Sequence, residues 1–136
     1  MTYRTVATFS AIVSGVYGLV ALIAPDALAS VFGLTFETMA VYEARLVGGA
    51  YVGYALVGLL TRDTAELGTR RAVAAANAVA WAVGLVLSAT GQLQGLANAT
   101  GWTVVVLAAA FTAAWAWTYL AARERGQDAQ AMRTKP

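Results

Sequence analysis

Residues 72–122, AVAAANAVAWAVGLVLSATGQLQGLANATGWTVVVLAAAFTAAWAWTYLAA, carry no Asp, Glu, Lys or Arg. A soluble bundle keeps charges on the outer faces of its helices, so the natural solvent for this stretch is lipid. One span cannot hold it, because a hydrocarbon core about 30 Å thick takes roughly 20 helical residues. The uncharged but Gly- and Gln-containing segment 91–101 reads as a turn, which divides the stretch into spans at 72–90 and 102–122. Working outward, a third apolar window lies at 42–60, between Glu37 and Arg62 and charged only at Glu43 and Arg45 near its start, and a fourth, uncharged, at 5–24, closed by Pro25 and Asp26. Proline next to a charge stops or redirects a helix. The expected fold is therefore an all-α membrane protein, a bundle of four transmembrane helices.

The rest of the chain fits that frame. Sixty per cent of the 136 residues are hydrophobic and 12% are charged, about half the charged fraction of a typical soluble domain. Between the first two spans, residues 26–33 place Leu28, Val31 and Phe32 on one side at helical spacing; a short interfacial helix and an irregular loop fit them equally well. Arg4, the first apolar run and Ala27-Leu28-Ala29 imitate a secretory leader with its cleavage site. The run is as long as a full span and exceeds the roughly 7–15 residues of a signal core, so it is expected to stay. The organisation read from this is one transmembrane domain at 1–122 and a polar cytoplasmic tail at 123–136 that frays.

Orientation follows from the cations. Arg4 precedes the first span, Arg62, Arg70 and Arg71 join the second to the third, and Arg123, Arg125, Arg133 and Lys135 follow the fourth. Eight of the nine basic residues thus fall on one side, which the positive-inside rule makes the cytoplasm of a bacterial or archaeal cell, with both termini there. The net charge of +2 is spent on topology, and no nucleic-acid partner is expected. The chain has no Cys and no His, which removes disulfides, thiol chemistry, His-ligated haem and ordinary zinc sites. Neither a metal nor a cofactor is expected.

Lipid removes the hydrophobic drive for helix association, so membrane helices pack through small residues with help from polar ones. Ser10, Ser14, Gly15 and Gly18 in the first span, Gly48, Gly49, Gly53 and Gly58 in the second, and Asn77, Gly84 and Ser88 in the third supply both. Gly49 and Gly53 form a GxxxG pair. It serves either a homodimer face or, the commoner use in a four-helix protein, packing within the bundle. Tyr3, Trp102, Trp117 and Tyr119 fall near span ends, where amphipathic rings favour the headgroups. Trp81 and Trp115 fall nearer the middles of their spans, and Trp81 lies one turn after Asn77; they read as core tryptophans or as the wall of an aromatic pocket.

Arg45 is the one basic residue that topology does not explain. It lies about 6 Å inside the outer boundary and three and four residues before Gly48 and Gly49, so it is expected to face the bundle with an acceptor in reach. Glu43, two residues away, points elsewhere on the helix and is not its straightforward partner. Arg45 either locks the outer end of the bundle by holding carbonyls or lipid phosphates, or binds a ligand in a cavity open to that face. No intramembrane carboxylate pair, nucleophile elbow or phosphate loop supports an enzyme.

Pro25, the stretch 28–34 ending Phe32-Gly33-Leu34, and above all Ala44-Arg45-Leu46-Val47-Gly48-Gly49-Ala50-Tyr51-Val52-Gly53 resemble the DoxX-like group of small bacterial membrane proteins. The resemblance covers about the first half of the chain. It implies a four-helix membrane domain whose members mostly have no assigned activity, some being accessory subunits of membrane oxidoreductases or proposed binders of lipophilic molecules, with Arg45 as the carried-over site. The leading expectation is a non-enzymatic membrane subunit or binder of a lipophilic or anionic small molecule near Arg45, with Glu43, Asn77, Trp81 and Trp115 around it. Membrane lipid, a partner membrane protein or a second copy are its expected partners. The rival is a small oligomeric transporter or channel with an outer vestibule at Glu43 and Arg45.

Overall fold

In the computed structural model, the backbone of residues 1–133 and the side chains of residues 1–124 and 132 are described. Five helices follow in order, α1 (Tyr3–Ile23), α2 (Pro25–Val31), α3 (Thr38–Thr61), α4 (Leu67–Leu93) and α5 (Gly101–Arg133), with no strand among the described residues. Four of them, α1, α3, α4 and the Gly101–Glu124 part of α5, are long and apolar enough to cross a membrane.

Local signals in the chain set the helix ends. The Thr2 hydroxyl accepts the backbone N–H of Thr5 and caps α1 at its start. Pro25 lacks an N–H and its ring cannot follow a helical residue, so α1 stops at Ile23 and the same proline opens α2 at its first position. Residues 26–33 thus resolve in favour of a helix, one of seven residues. Gly33 (φ 70°) closes it: its N–H reaches Ser30 O and the N–H of Leu34 reaches Ala29 O, the paired bonds of a Schellman cap. Gly95 (φ 72°) does the same for α4, with Gly95 N–H on Gln92 O and Leu96 N–H on Gly91 O. The turn expected at 91–101 is therefore confined to 94–100, since Gly91 is still helical.

Beyond Ala122 the expected fraying tail is a continuation of α5, whose backbone remains helical to Arg133; residues 134–136, the end of that tail, lie outside the described residues.

Side-chain size sorts the residues between interior and surface. The buried apolar positions are mostly alanines, Ala7, Ala11, Ala21, Ala29, Ala55, Ala74 and Ala108 among them, while Ile23 (74% exposed), Leu60 (83%), Phe9, Ile12, Leu87 and Val106 point outward. A water-soluble protein hides its large apolar side chains, and a lipid-solvated one can leave them outside and bring small residues to helix contacts. Packing is uneven. α1 lies closely against α3 and α4 closely against α5, whereas α3 barely touches α4. α1 joins the two pairs through Tyr3, whose ring stands edge-on to Trp115 at 5.9 Å, and through Ser10, whose Oγ accepts the indole N–H groups of both Trp115 (3.2 Å) and Trp81 (3.3 Å).

The α1–α3 contact is made by glycines, though not by the expected pair. A Cβ on Gly48 would lie 2.7 Å from Gly18 O and from Leu22 N, and one on Gly18 would lie 2.8 Å from Gly48 O. Gly58 packs on Ala7 and Ala11. Among the described residues, nothing beyond their own stretch of helix comes within 4 Å of the Cβ positions of Gly49 and Gly53, so the expectation that this pair packs inside the bundle is corrected. The reason is rotation: successive helical residues diverge by about 100°, and with Gly48, Ala55 and Gly58 facing α1 the 49/53 stripe turns outward.

Candidate functional site

Because α3 and α4 stand apart, a cleft of about 320 Å³ opens between α3 and the α4–α5 pair. Tyr51 and Tyr54 of α3 form one side, Trp81 of α4 the back, and Ala50, Ala80, Gly84 and Ala108 leave the space that larger side chains would fill. Tyr51 and Tyr54 lie ten and seven residues before Thr61, which puts the cleft roughly 10–15 Å from that end of α3, near mid-span. The aromatic groups hold one another in place. Tyr17 packs on Tyr51 at 5.1 Å between centroids, Tyr51 stands edge-on to Tyr54 at 6.5 Å, and Trp81 stacks on Phe111 at 4.6 Å.

Behind this wall lies a polar layer. Trp81 presents its ring to the cleft and its N–H to Ser10 Oγ. Two hydroxyls of the interior, Tyr54 Oη and Ser14 Oγ one turn after Ser10, are buried without a hydrogen-bond partner among the described residues. Buried hydroxyls are normally satisfied, so this layer retains hydrogen-bonding capacity directly behind an apolar, aromatic cavity. The arrangement suits a lipophilic body with few polar atoms, and its volume is at the small end of the about 300–1,000 Å³ usual for ligand pockets.

The residues expected to form the site are not brought together. Trp81 lines the cleft. Trp115 is fully buried and belongs to the core with Tyr3, Val6, Ala7 and Ala74. Asn77 is also buried, and its side-chain amide donates to Val73 O of its own helix at 2.8 Å. Glu43 and Arg45 are exposed, line neither this cleft nor the cavity described below, and make no ion pair among the described residues. The expectation that Arg45 faces the bundle with an acceptor in reach is corrected. Above Gly48 the half-buried positions of α3 are Ala44, Val41 and Ala40, four, seven and eight residues back, and Arg45, at three, falls to the other side of that line.

Sequence reasoning passed over Tyr51 and Tyr54. The signal available was their position: two tyrosines three residues apart, a full turn and more inside a span, where interfacial anchoring cannot account for them.

The fold and the cleft define a small all-α protein with four helices of membrane-crossing length and a mid-span aromatic cavity. Residues 8–134 match the family described as a domain of unknown function (DUF8292), and the chain, nearly all of which is covered, belongs to that family. No curated protein and no solved structure matches it.

Proposed function

We propose that this protein is an integral membrane protein of a prokaryotic cytoplasmic membrane that binds a lipophilic small molecule in the cleft between α3 and the α4–α5 pair, as a non-enzymatic binding protein or accessory subunit. The observation that carries the reading is the mid-span cavity walled by Tyr51, Tyr54 and Trp81. A cavity at that depth draws its occupant from lipid, and flat aromatic faces with small residues between them accept a ring or a chain. The resemblance of 44–53 to the DoxX-like group supports the same class of ligand.

Topology is part of the proposal. Arg4, Arg62, Arg70 and Arg71 lie at one end, linked by the Tyr3–Thr61 hydrogen bond and the Arg4–Asp63 ion pair, while the opposite end joins Asn98 to Val31 and Phe32. With the basic end in the cytoplasm, α2 lies at the outer interface.

Gly84→Leu is the test. The Cβ position of Gly84 is open and its residue lines the cleft, so a leucine fills the cavity without displacing a neighbour. Solvent extraction and mass spectrometry of protein purified in mild detergent should return a lipophilic species in near-molar proportion from the parent and little from the variant. A short-chain alkylated benzoquinone should quench tryptophan emission saturably in the parent, and less so after Trp81→Phe. Extracts identical for parent and Gly84→Leu, together with non-saturable quenching, would sink the proposal.

A further inference from the structure

The basic end of the bundle contains a second cavity, of about 300 Å³, between the start of α1, the start of α4 and the later turns of α5. Tyr3, Arg4, Leu67, Arg70, Thr118 and Ala121 are among its walls. Its chemistry is unlike that of the mid-span cleft. Arg70 donates through Nε to Thr64 O at 2.7 Å and lays its guanidinium over the Tyr3 ring, 5.6 Å from the centroid. Those two contacts orient the planar fork, and among the described residues no carboxylate pairs with it. Glu66, one turn before Arg70, accepts the Thr69 hydroxyl at 2.6 Å instead.

Arg4 brings a second cation. Its Nε lies 3.1 Å from one oxygen of Asp63, whose other oxygen takes the Nε of Arg62 at 3.2 Å, so a single carboxylate is shared by two guanidiniums and a positive charge is left over. The walls therefore hold an oriented arginine with no counter-ion among the described residues, a partly compensated one beside it, and an apolar floor of Leu67 and Ala121.

We infer that this cavity binds a phosphate group, presented either by the headgroup of an anionic phospholipid or as free phosphate. A guanidinium fork already held at Nε keeps its terminal N–H groups for two oxygens of a tetrahedral anion. Basic pockets between helices at the cytoplasmic face are suited to such headgroups. The lipid source rests on the membrane reading given above; the phosphate chemistry does not.

The experiment is a lipid titration followed by native mass spectrometry of the full chain in detergent, with phosphatidylglycerol against phosphatidylcholine. Solubility is checked first: a chain that stays monodisperse in buffer without detergent overturns the membrane reading and with it the lipid source. For the parent, phosphatidylglycerol should bind preferentially. Arg70→Gln should weaken it about tenfold, the loss of one charge-assisted interaction, and Arg123→Gln, an exposed cation outside the cavity, should leave it unchanged. Ala121→Phe, which fills the cavity and keeps every charge, should weaken it too and guards against misfolding of the arginine variant. Displacement of the lipid by millimolar inorganic phosphate would assign the site to phosphate itself, and resistance to it would assign the site to the lipid headgroup. Equal losses for Arg70→Gln and Arg123→Gln, or no preference for phosphatidylglycerol, would overturn the inference in favour of diffuse surface charge.

Discussion

Replacing Gly48 by Ala should destabilise the protein, whereas the same replacement at Gly49, the next residue, should not. The added methyl at 48 would meet Gly18 O and Leu22 N at 2.7 Å and the Ala21 carbonyl carbon at 3.1 Å, all backbone atoms that no rotamer change can move. Ordinary contact begins near 3.4 Å, so α1 and α3 must part by about 0.7 Å at their crossing. A gap of that size forfeits roughly a quarter to a half of the dispersion attraction of the atoms it separates. Overpacking of this kind costs about 1–3 kcal/mol. Both variants share the helix-propensity gain of Gly to Ala, about 0.5–1 kcal/mol, so the difference between them isolates the close approach. Unfolding in one detergent, followed by far-UV circular dichroism, reads that difference directly. Equal stabilities, or a Gly49→Ala variant less stable than Gly48→Ala, would refute the assignment of the α1–α3 face and point to contacts at 49 with a second chain.

Ser10→Ala leaves one buried and one half-buried indole N–H without their shared acceptor and should lower stability by about 1–3 kcal/mol while shifting tryptophan emission; an unchanged spectrum would mean that neither Trp81 nor Trp115 relies on it. Gly33→Ala should cost roughly 1–2 kcal/mol for an L-residue at positive φ, plus crowding against Asn98 at 3.1 Å. Gly95→Ala, with the same φ and open space, should cost less in the same melt. Arg45→Ala should fall within about ±0.5 kcal/mol of the parent, since the side chain is exposed and unpaired among the described residues; a large loss would reveal an acceptor outside this chain. Single cysteines at Thr35 and Gln94 should react with an impermeant thiol reagent on intact cells, and labelling only after lysis would reverse the proposed orientation.

The four long helices and the division of the chain between them were legible before any tertiary contact was known. Their requirement is local: a helix able to cross a membrane needs a predominantly apolar run of sufficient length, and Pro25, Asp26, Glu37 and Arg62 mark the limits of such runs wherever the helices later pack. Arg4, Arg62, Arg70 and Arg71 likewise announce a common end, because a chain that alternates direction across one layer returns there at every second turn. The GxxxG spelling at 49 and 53 was legible as a packing element, but spelling is silent about azimuth.

Azimuth and spacing belong to the tertiary structure. Gly48 rather than Gly49 meets Gly18 because α3 presents one face to α1, and the roughly 100° between neighbouring residues is invisible in a helix whose glycines occur on several faces. The same rotation sends Arg45 outward. The cleft at Tyr51, Tyr54 and Trp81 exists because α1 binds α3, α5 binds α4, and Ser10 ties the pairs together while α3 and α4 stay apart. No single segment encodes a gap between two helices that do not touch; it is set by the sizes of the side chains on the helices that do.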